Sequence, residues 1–502
     1  MSFRGVIYIA VFLVCAAGLV WWGLSSAPVP QTSDGAEIEV VAGQADGQLD
    51  VPIIIYLVDT LRADRLGVYG YSRPTSPELD ALAAESVVFE QAYAPAPWTL
   101  PSVASLITST FLCEHGLSRG KKKMNNGLKT LAERLQSVGY TTAGYYNNLL
   151  VGSLAALDRG YQQFVFKSWN DDRRARDVDL FLDGIATRPF YLYLHTMEPH
   201  TSWSVPSKLT RPFGHVSVDD KSRYEAIYLR YREQRFEDYR SNRPVGTTDN
   251  TALQDQSRAE LESLHESINI LYDGAVLEAD TNLANVIRVL KRRGFWDKAI
   301  FVFLSDHGEE FGEHDGWFHD QSVYEELSRI PLIIHFPNDE FAGRRIDAVV
   351  SLVDVMPTIF DYLQRPELCA ECRGNSLLPL IKENSARRPA EISIPALRVN
   401  QQSYYRAWQE TRGDVNIVLR QAQWKGIWNV ETRTLELYDL KNDPAESTDV
   451  SLQSAGVADR LRSHAQAWLS DCRTRLKPPI ELEGDELDPE TMEKLRSLGY
   501  FN

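Results

Sequence analysis

The chain carries a set of short, unbroken apolar runs separated by stretches with helical spacing. Val51-Pro52-Ile53-Ile54-Ile55-Tyr56-Leu57-Val58 is the first and stops abruptly at Asp59. Phe190-Tyr191-Leu192-Tyr193-Leu194 is the second, Ala299-Ile300-Phe301-Val302-Phe303-Leu304 the third, and Ile330-Pro331-Leu332-Ile333-Ile334 the fourth. Their length and β-branched content predict strands buried on both faces, as in a largely parallel sheet. Helical patterns lie between them, at 128–135 and over a longer stretch from about Glu260 to Arg293. Strands alternating with helices predict an α/β/α sandwich around a large, mostly parallel sheet.

The same pattern divides the chain. Residues 50–380 hold the strong runs and form the expected catalytic domain, with 207–256 so polar that it reads as an insertion over one end of the sheet. Beyond about Leu380 the runs become short and polar, around Ala407-Trp408 and Leu435-Glu436-Leu437-Tyr438, followed by a helix near 456–470. This predicts a smaller C-terminal α+β lobe over 381–502. Residues 28–49 are rich in Ser, Gly, Gln, Asp and Ala without a period, the composition of a flexible linker. Ahead of them, Arg4 precedes an apolar stretch from Gly5 to Leu24, and about 20 apolar residues suffice to cross a bilayer. Residues 1–27 therefore read as a transmembrane anchor or a signal, with Pro28 disfavouring cleavage. Arg4 is the only positive charge before Arg62, which puts the catalytic domain outside the cytoplasm, in a periplasmic or extracellular space.

Charge and cysteine content narrow the function. The net charge of −16 argues against nucleic acid as a partner, because that interaction rests on clustered Lys and Arg. Lys121-Lys122-Lys123 is a compact basic cluster, expected as a solvated loop. Cys369 and Cys372 lack a second pair or a nearby His, so a local disulfide is expected there rather than zinc. Cys113 and Cys472 stay open between free and paired.

Three of the strong runs end in side chains with chemistry: Asp59 after the first, His195 after the second, Asp306-His307 after the third. In open α/β sheets the ligand crevice lies beyond the carboxyl ends of the strands. Any one such Asp is as well explained by a helix cap or a turn; together they outline a site.

These positions sit in longer motifs. Val58-Asp59-Thr60-Leu61-Arg62-Ala63-Asp64, Ala94-Pro95-Ala96-Pro97-Trp98-Thr99-Leu100-Pro101-Ser102 and Ser305-Asp306-His307-Gly308-Glu309-Glu310-Phe311-Gly312-Glu313-His314 succeed one another in order. With Leu437-Tyr438-Asp439-Leu440 and Asp443-Pro444 in the tail, the chain resembles the sulfatase branch of the alkaline phosphatase superfamily over roughly residues 50–502. The resemblance implies an alkaline-phosphatase-like fold. It also implies one divalent metal ion, calcium, manganese or zinc, held by Asp59, Asp306, His307 and the nucleophile Thr99. It makes His200 a general acid or electrostatic clamp and sets His319 against the charged group of an anionic ester. His195 falls on the substrate side, Arg62 either there or in an ion pair within the lobe, and Glu309 and Glu310 behind the ligands or at the surface.

The departures from the family pattern bear on the reaction. Thr60 stands where a second Asp is usual, and Asn147 and Asn148 where a Lys-x-His pair is usual. Thr99 replaces the Cys that becomes formylglycine, and the usual Arg of that box is absent from Thr99-Leu100-Pro101-Ser102-Val103 and the residue after it. A Thr hydroxyl activated by a cation can attack phosphorus, and water can release the phospho-threonine. A sulfo-threonine would lack the hemiacetal route that ejects sulfate. The expected function is a metal-dependent hydrolase of sulfuric or phosphoric esters. Phosphate, phosphodiester or phosphonate esters are favoured chemically over sulfate. An envelope phospho-head-group transferase and a catalytically silent binding protein are the alternatives.

Overall fold

The computed structural model describes residues 50–118, 122–169, 173–185, 189–200, 205–240, 251–320, 322–383, 396–399, 415–475, 477 and 479–481. The expected anchor (1–27), the linker (28–49) and the strand expected around Ala407-Trp408 lie outside these residues. No helix among the described residues is long and apolar enough to cross a membrane.

The first apolar run forms β1 (Ile53–Val58), every residue of it buried. Its alternation is literal: Ile53, Ile55 and Leu57 enter the core on one face of the sheet, Ile54, Tyr56 and Val58 the core on the other. The other strands of this sheet are β2 (Val87–Tyr93), β3 (Thr141–Tyr146), β4 (Gln163–Phe166), β5 (Phe190–Thr196), β6 (Ile300–Ser305), β7 (Arg329–Ile330), β8 (Leu332–His335) and β9 (Arg345–Ser351). They lie in the order β7-β2-β8-β6-β1-β5-β3-β4, with β9 on β2. The fourth apolar run is cut into β7 and β8 by Pro331, which has no N–H to donate to a ladder. Both pieces run antiparallel to β2, and β8 also to β6. The remaining strand pairs are all parallel, so the sheet is mixed but mostly parallel, as expected.

The longer helices are α1 (Pro77–Ala84), α2 (Thr99–Thr108), α3 (Arg173–Ile185), α4 (Val218–Arg240), α5 (Thr251–Ser263), α6 (His265–Arg293), α7 (Val355–Tyr362) and α8 (Ala455–Arg475). Leu100, Val103, Leu106 and Ile107 of α2 and Ile359 and Phe360 of α7 cover one face of the sheet. Val178 and Leu182 of α3 and Leu271, Val276, Leu283 and Leu290 of α6 cover the other. The single long helix expected from about Glu260 breaks at Leu264, whose φ of −104° and ψ of 4° separate α5 from α6. The polar insertion folds largely as α4 and α5, with Tyr224 and Ile227 of α4 buried in the same core as α6.

The C-terminal lobe is a four-stranded antiparallel sheet of β10 (Ala396–Val399), β11 (Val415–Gln421), β12 (Trp424–Asn429) and β13 (Leu435–Asp439) in that order. Leu461, Ala465 and Leu469 of α8 pack on it. Two disulfides form. Cys369–Cys372 is the local one expected, and Cys113–Cys472 joins the catalytic domain to α8. Lys122-Lys123 is not a loop: it pairs antiparallel with Ile480-Glu481, whose backbone supplies the bonds that solvent was expected to provide.

Candidate active site

β1 lies between β5 and β6 with Val58 in register with Thr196 and Ser305. The three strands stop at one level, and the residues just past them share a crevice at their carboxyl ends. Asp59 lies just past β1, Asp306 and His307 just past β6, and His195 at the penultimate position of β5. The loop after β2 brings Thr99 to the same place. Thr99 is the first residue of α2, and Trp98 occupies the cap position. Its hydroxyl therefore sits at the partly positive end of the helix without being spent on the helix's own amides.

Thr99 Oγ1 is 3.3 Å from His307 Nε2 and 3.5 Å from Asp59 Oδ2. His307 Nε2 is in turn 3.6 Å from Asp59 Oδ1 and 3.5 Å from Asp306 Oδ2. Those two carboxylate oxygens are buried and have no hydrogen-bond partner among the described residues. With the imidazole donating from Nδ1, a 2.9 Å bond to the Gly308 carbonyl oxygen turns the Nε2 lone pair toward the carboxylates. Two orphaned carboxylate oxygens, one imidazole lone pair and one hydroxyl fit a divalent cation of the hard to borderline class. Asp59, His195 and Asp306 also offer three atoms within 4.8 Å of one another. His195 Nε2, however, is engaged 3.1 Å from Asp59 Oδ2, so His307 is the better fourth member.

The electrostatics point the same way. Burial and the Asp59 charge push the Asp306 carboxyl well above the usual range. Burial alone would also raise Asp59, but the His195 hydrogen bond and the nearby imidazoles hold it below the usual range. Burial and the neighbouring His319 bring His307 down to about 3, which keeps its imidazole neutral and able to coordinate. A cation between the carboxylates would relieve the repulsion that now divides them.

The backbone around the site is tightly held. Thr60 has φ 57°, a left-handed conformation that is strained for a β-branched residue. Its amide donates to Asp306 Oδ1 at 3.2 Å, beside the His307 amide at 3.0 Å, and its carbonyl accepts from the Tyr272 hydroxyl at 2.7 Å. Ser102 Oγ donates to the Asp306 carbonyl at 2.6 Å, tying α2 to the end of β6.

His200 and His319 lie beside this cluster, His200 buried and His319 part-exposed. Their rings are 5.2 Å apart, and the His319 ring is 4.8 Å from that of His307. His319 Nδ1 lies 3.0 Å from Glu309 Oε1. The two other residues expected on the substrate side are turned elsewhere. Arg62 spends its guanidinium on both oxygens of Asp64, on Glu313 and on the Glu309 carbonyl, which buries it under the hairpin of Glu310–Phe311 and Trp317–Phe318 that comes after β6. His195 is fully buried between Asp59 and the Tyr193 hydroxyl, so it braces a ligand instead of meeting the substrate. Glu309 and Glu310 are not at the surface: both are buried, and burial pushes each up to about 8.

Sequence reasoning missed the purpose of Asn148. Its Nδ2 donates to Asp59 Oδ2 at 2.9 Å, where with His195 it fixes the carboxylate so that Oδ1 faces His307. The available signal was its position two residues past β3, the strand beside β5. The insertion also reaches the site: Tyr224 and Tyr228 of α4 lie against the ring of Phe318, next to His319.

The sequence model of the Sulfatase family matches residues 52–364. That of the N-sulphoglucosamine sulphohydrolase C-terminal region matches residues 312–471. The chain is 23% identical over 470 residues to N-acetylglucosamine-6-O-sulfatase of Bacteroides thetaiotaomicron, covering 79% of this chain and 82% of that one. It is 24% identical over 458 residues to the arylsulfatase of Clostridium perfringens, covering 79% and 89%. Among solved structures it is similar to the phosphonate monoester hydrolase of Agrobacterium radiobacter, with a TM-score of 0.63, 18% identity and coverage of 86% and 100%. A structure solved with its substrate D-glucosamine-2-N,6-O-disulfate gives a TM-score of 0.65, 21% identity and coverage of 88% and 100%.

Proposed function

The chain belongs to the sulfatase family of ester hydrolases, and from that premise we propose that it cleaves a phosphoric or phosphonic ester, in preference to a sulfuric one, with Thr99 as nucleophile. The observation that carries this reading is the Thr99 hydroxyl, 3.3 Å from His307 Nε2 beside two orphaned carboxylate oxygens. A divalent cation bound by Asp59, Asp306, His307 and Thr99 would acidify that hydroxyl and offset the charge of the ester. Thr99 Oγ forms the bond to phosphorus as the bond to the leaving oxygen breaks. His200 and His319, beside the cluster, supply the leaving oxygen's proton and a clamp on the anionic group. Water then cleaves the phospho-threonine, whereas a sulfo-threonine would lack the hemiacetal route by which a formylglycine hydrate ejects sulfate. The two cystines support a place outside the reducing cytosol.

The test is a panel of aryl phosphate, aryl phosphodiester, aryl phosphonate monoester and aryl sulfate, assayed with calcium, manganese or zinc. Thr99→Ala is expected to lower turnover at least about a thousandfold while leaving the circular dichroism spectrum unchanged. Turnover of the sulfate alone, or undiminished turnover by Thr99→Ala, would overturn the reading.

A further inference from the structure

Glu309 is a buried carboxylate that the proposed ester cleavage does not use. Its side chain is wholly enclosed, one oxygen 3.0 Å from His319 Nδ1 and the other without a hydrogen-bond partner among the described residues. Burying a carboxylate is costly unless something nearby repays it. The one side chain that Glu309 bonds, among the described residues, is the imidazole that faces the anionic group.

The backbone around His319 makes the same point from another direction. Phe318 and Asp320 both adopt left-handed conformations, with φ of 71° and 76°. Such strain persists only where surrounding contacts enforce it. The short pair Glu310–Phe311 and Trp317–Phe318 fixes one end of the loop, and the Asp320 amide, donating to the Pro97 carbonyl at 3.1 Å, fixes the other. The loop is thereby tied to the segment that presents Thr99. These bonds place the His319 backbone, and its ring has a side-chain partner of its own. That partner reaches it from a residue two positions past His307.

We propose that Glu309 is a positioning residue that fixes the ring orientation and tautomer of His319. Once Glu309 is ionised, Nδ1–H donates to the carboxylate and Nε2 becomes the atom that addresses the substrate. A Lys at position 319 would need no such partner, because an ammonium has no tautomers and donates in any rotation. Glu309 and His319 therefore act as one unit. The proposal deepens the ester-cleaving reading by assigning the group that prepares its clamp.

The test is a double-mutant cycle on the intact protein with the best ester of the panel. Glu309→Ala and His319→Ala are each expected to lower kcat/KM by about 10- to 100-fold, and the double variant no further, because the unit fails once. Glu309→Gln, which keeps an acceptor, should recover part of the loss. In a His319→Lys background, Glu309→Ala should change kcat/KM less than threefold. Losses that multiply in the double variant would overturn the proposal, as would an undiminished effect of Glu309→Ala beside Lys. A second reading does not depend on turnover: 15N-histidine spectra, with the His319 signal identified by its loss in His319→Lys. The wild type should show the Nδ1–H form, and Glu309→Ala should shift the signal toward Nε2–H. An unmoved signal would sink the proposal even in an active enzyme. A shifted signal in an enzyme inert toward every ester would uphold it while the ester-cleaving reading fell.

Discussion

At Asp59 and Asp306 two buried carboxylates lie on either side of one neutral imidazole, and no Lys or Arg is bonded to either side chain among the described residues. Without a cation, burial and Asp59 raise the Asp306 pKa above its value in the unfolded chain. The folded form then keeps a proton that the unfolded form releases, so stability falls as pH rises past the ordinary carboxylate range. A bound cation removes that penalty. Chelation should therefore lower the melting temperature more at pH 8.5 than at pH 5, as read by scanning calorimetry with and without EDTA. An equal shift at both would mean that the two carboxylates do not share a cation. Asp306→Asn should cut metal content measured by elemental analysis, since the amide brings only one acceptor oxygen and no charge.

The hairpin after β6 shows what one element can store. Arg62, Glu313 and buried Glu310 all lie within or beneath it. Burial lifts Glu310 to about 8, and the nearby Glu326 and Glu313 add to that lift against the opposing bond from Ser322. Because its folded pKa lies above the unfolded value, the stabilising share of Glu310 is present at pH 4 and lost as pH climbs toward 8. Glu310→Gln should thus flatten the decline of stability between pH 5 and pH 9 in urea titrations; an unchanged slope would remove Glu310 as its source. Elements also mark where the sequence was readable. β1, β5 and β6 are apolar on both sides because helices cover both faces of the sheet, and the residues that end them were evident at once. β2 and β3 were not, because Glu90, Gln91, Thr141 and Thr142 interrupt their apolar pattern. β11 and β12 escaped notice for a related reason: Asn416 and Arg420 in one and Lys425 and Gly426 in the other interrupt their apolar pattern. Asn148 was missed, His195 misread and Arg62 left between two roles because a polar side chain's task depends on what it faces across a fold, and spacing along the chain does not carry that.

At the scale of the molecule, the C-terminal lobe is bound to the catalytic domain by polar contacts as well as by its core. Lys425, fully buried, lies 3.1 Å from Glu325 and 2.8 Å from Glu446, and Arg420 donates to Tyr93 of β2 at 2.9 Å. The covalent tie is Cys113–Cys472, across 359 positions. Cross-linking so long a segment restricts the unfolded chain, and replacing both cysteines by Ser should cost about 2–5 kcal/mol, read as a lower urea midpoint. An unchanged midpoint would mean that the polar contacts alone hold the lobe.

That bond also imposes an order in time. Residue 113 is made long before residue 472, so the earlier thiol must wait, unpaired, through the synthesis of nearly everything that builds the sheet. Cys369 and Cys372, three positions apart, face no such delay. While Cys113 waits, Cys369 and Cys372 are made first and can capture it. Accurate maturation then depends on the nascent domain hiding Cys113, which the finished fold encloses completely, before its rightful partner arrives.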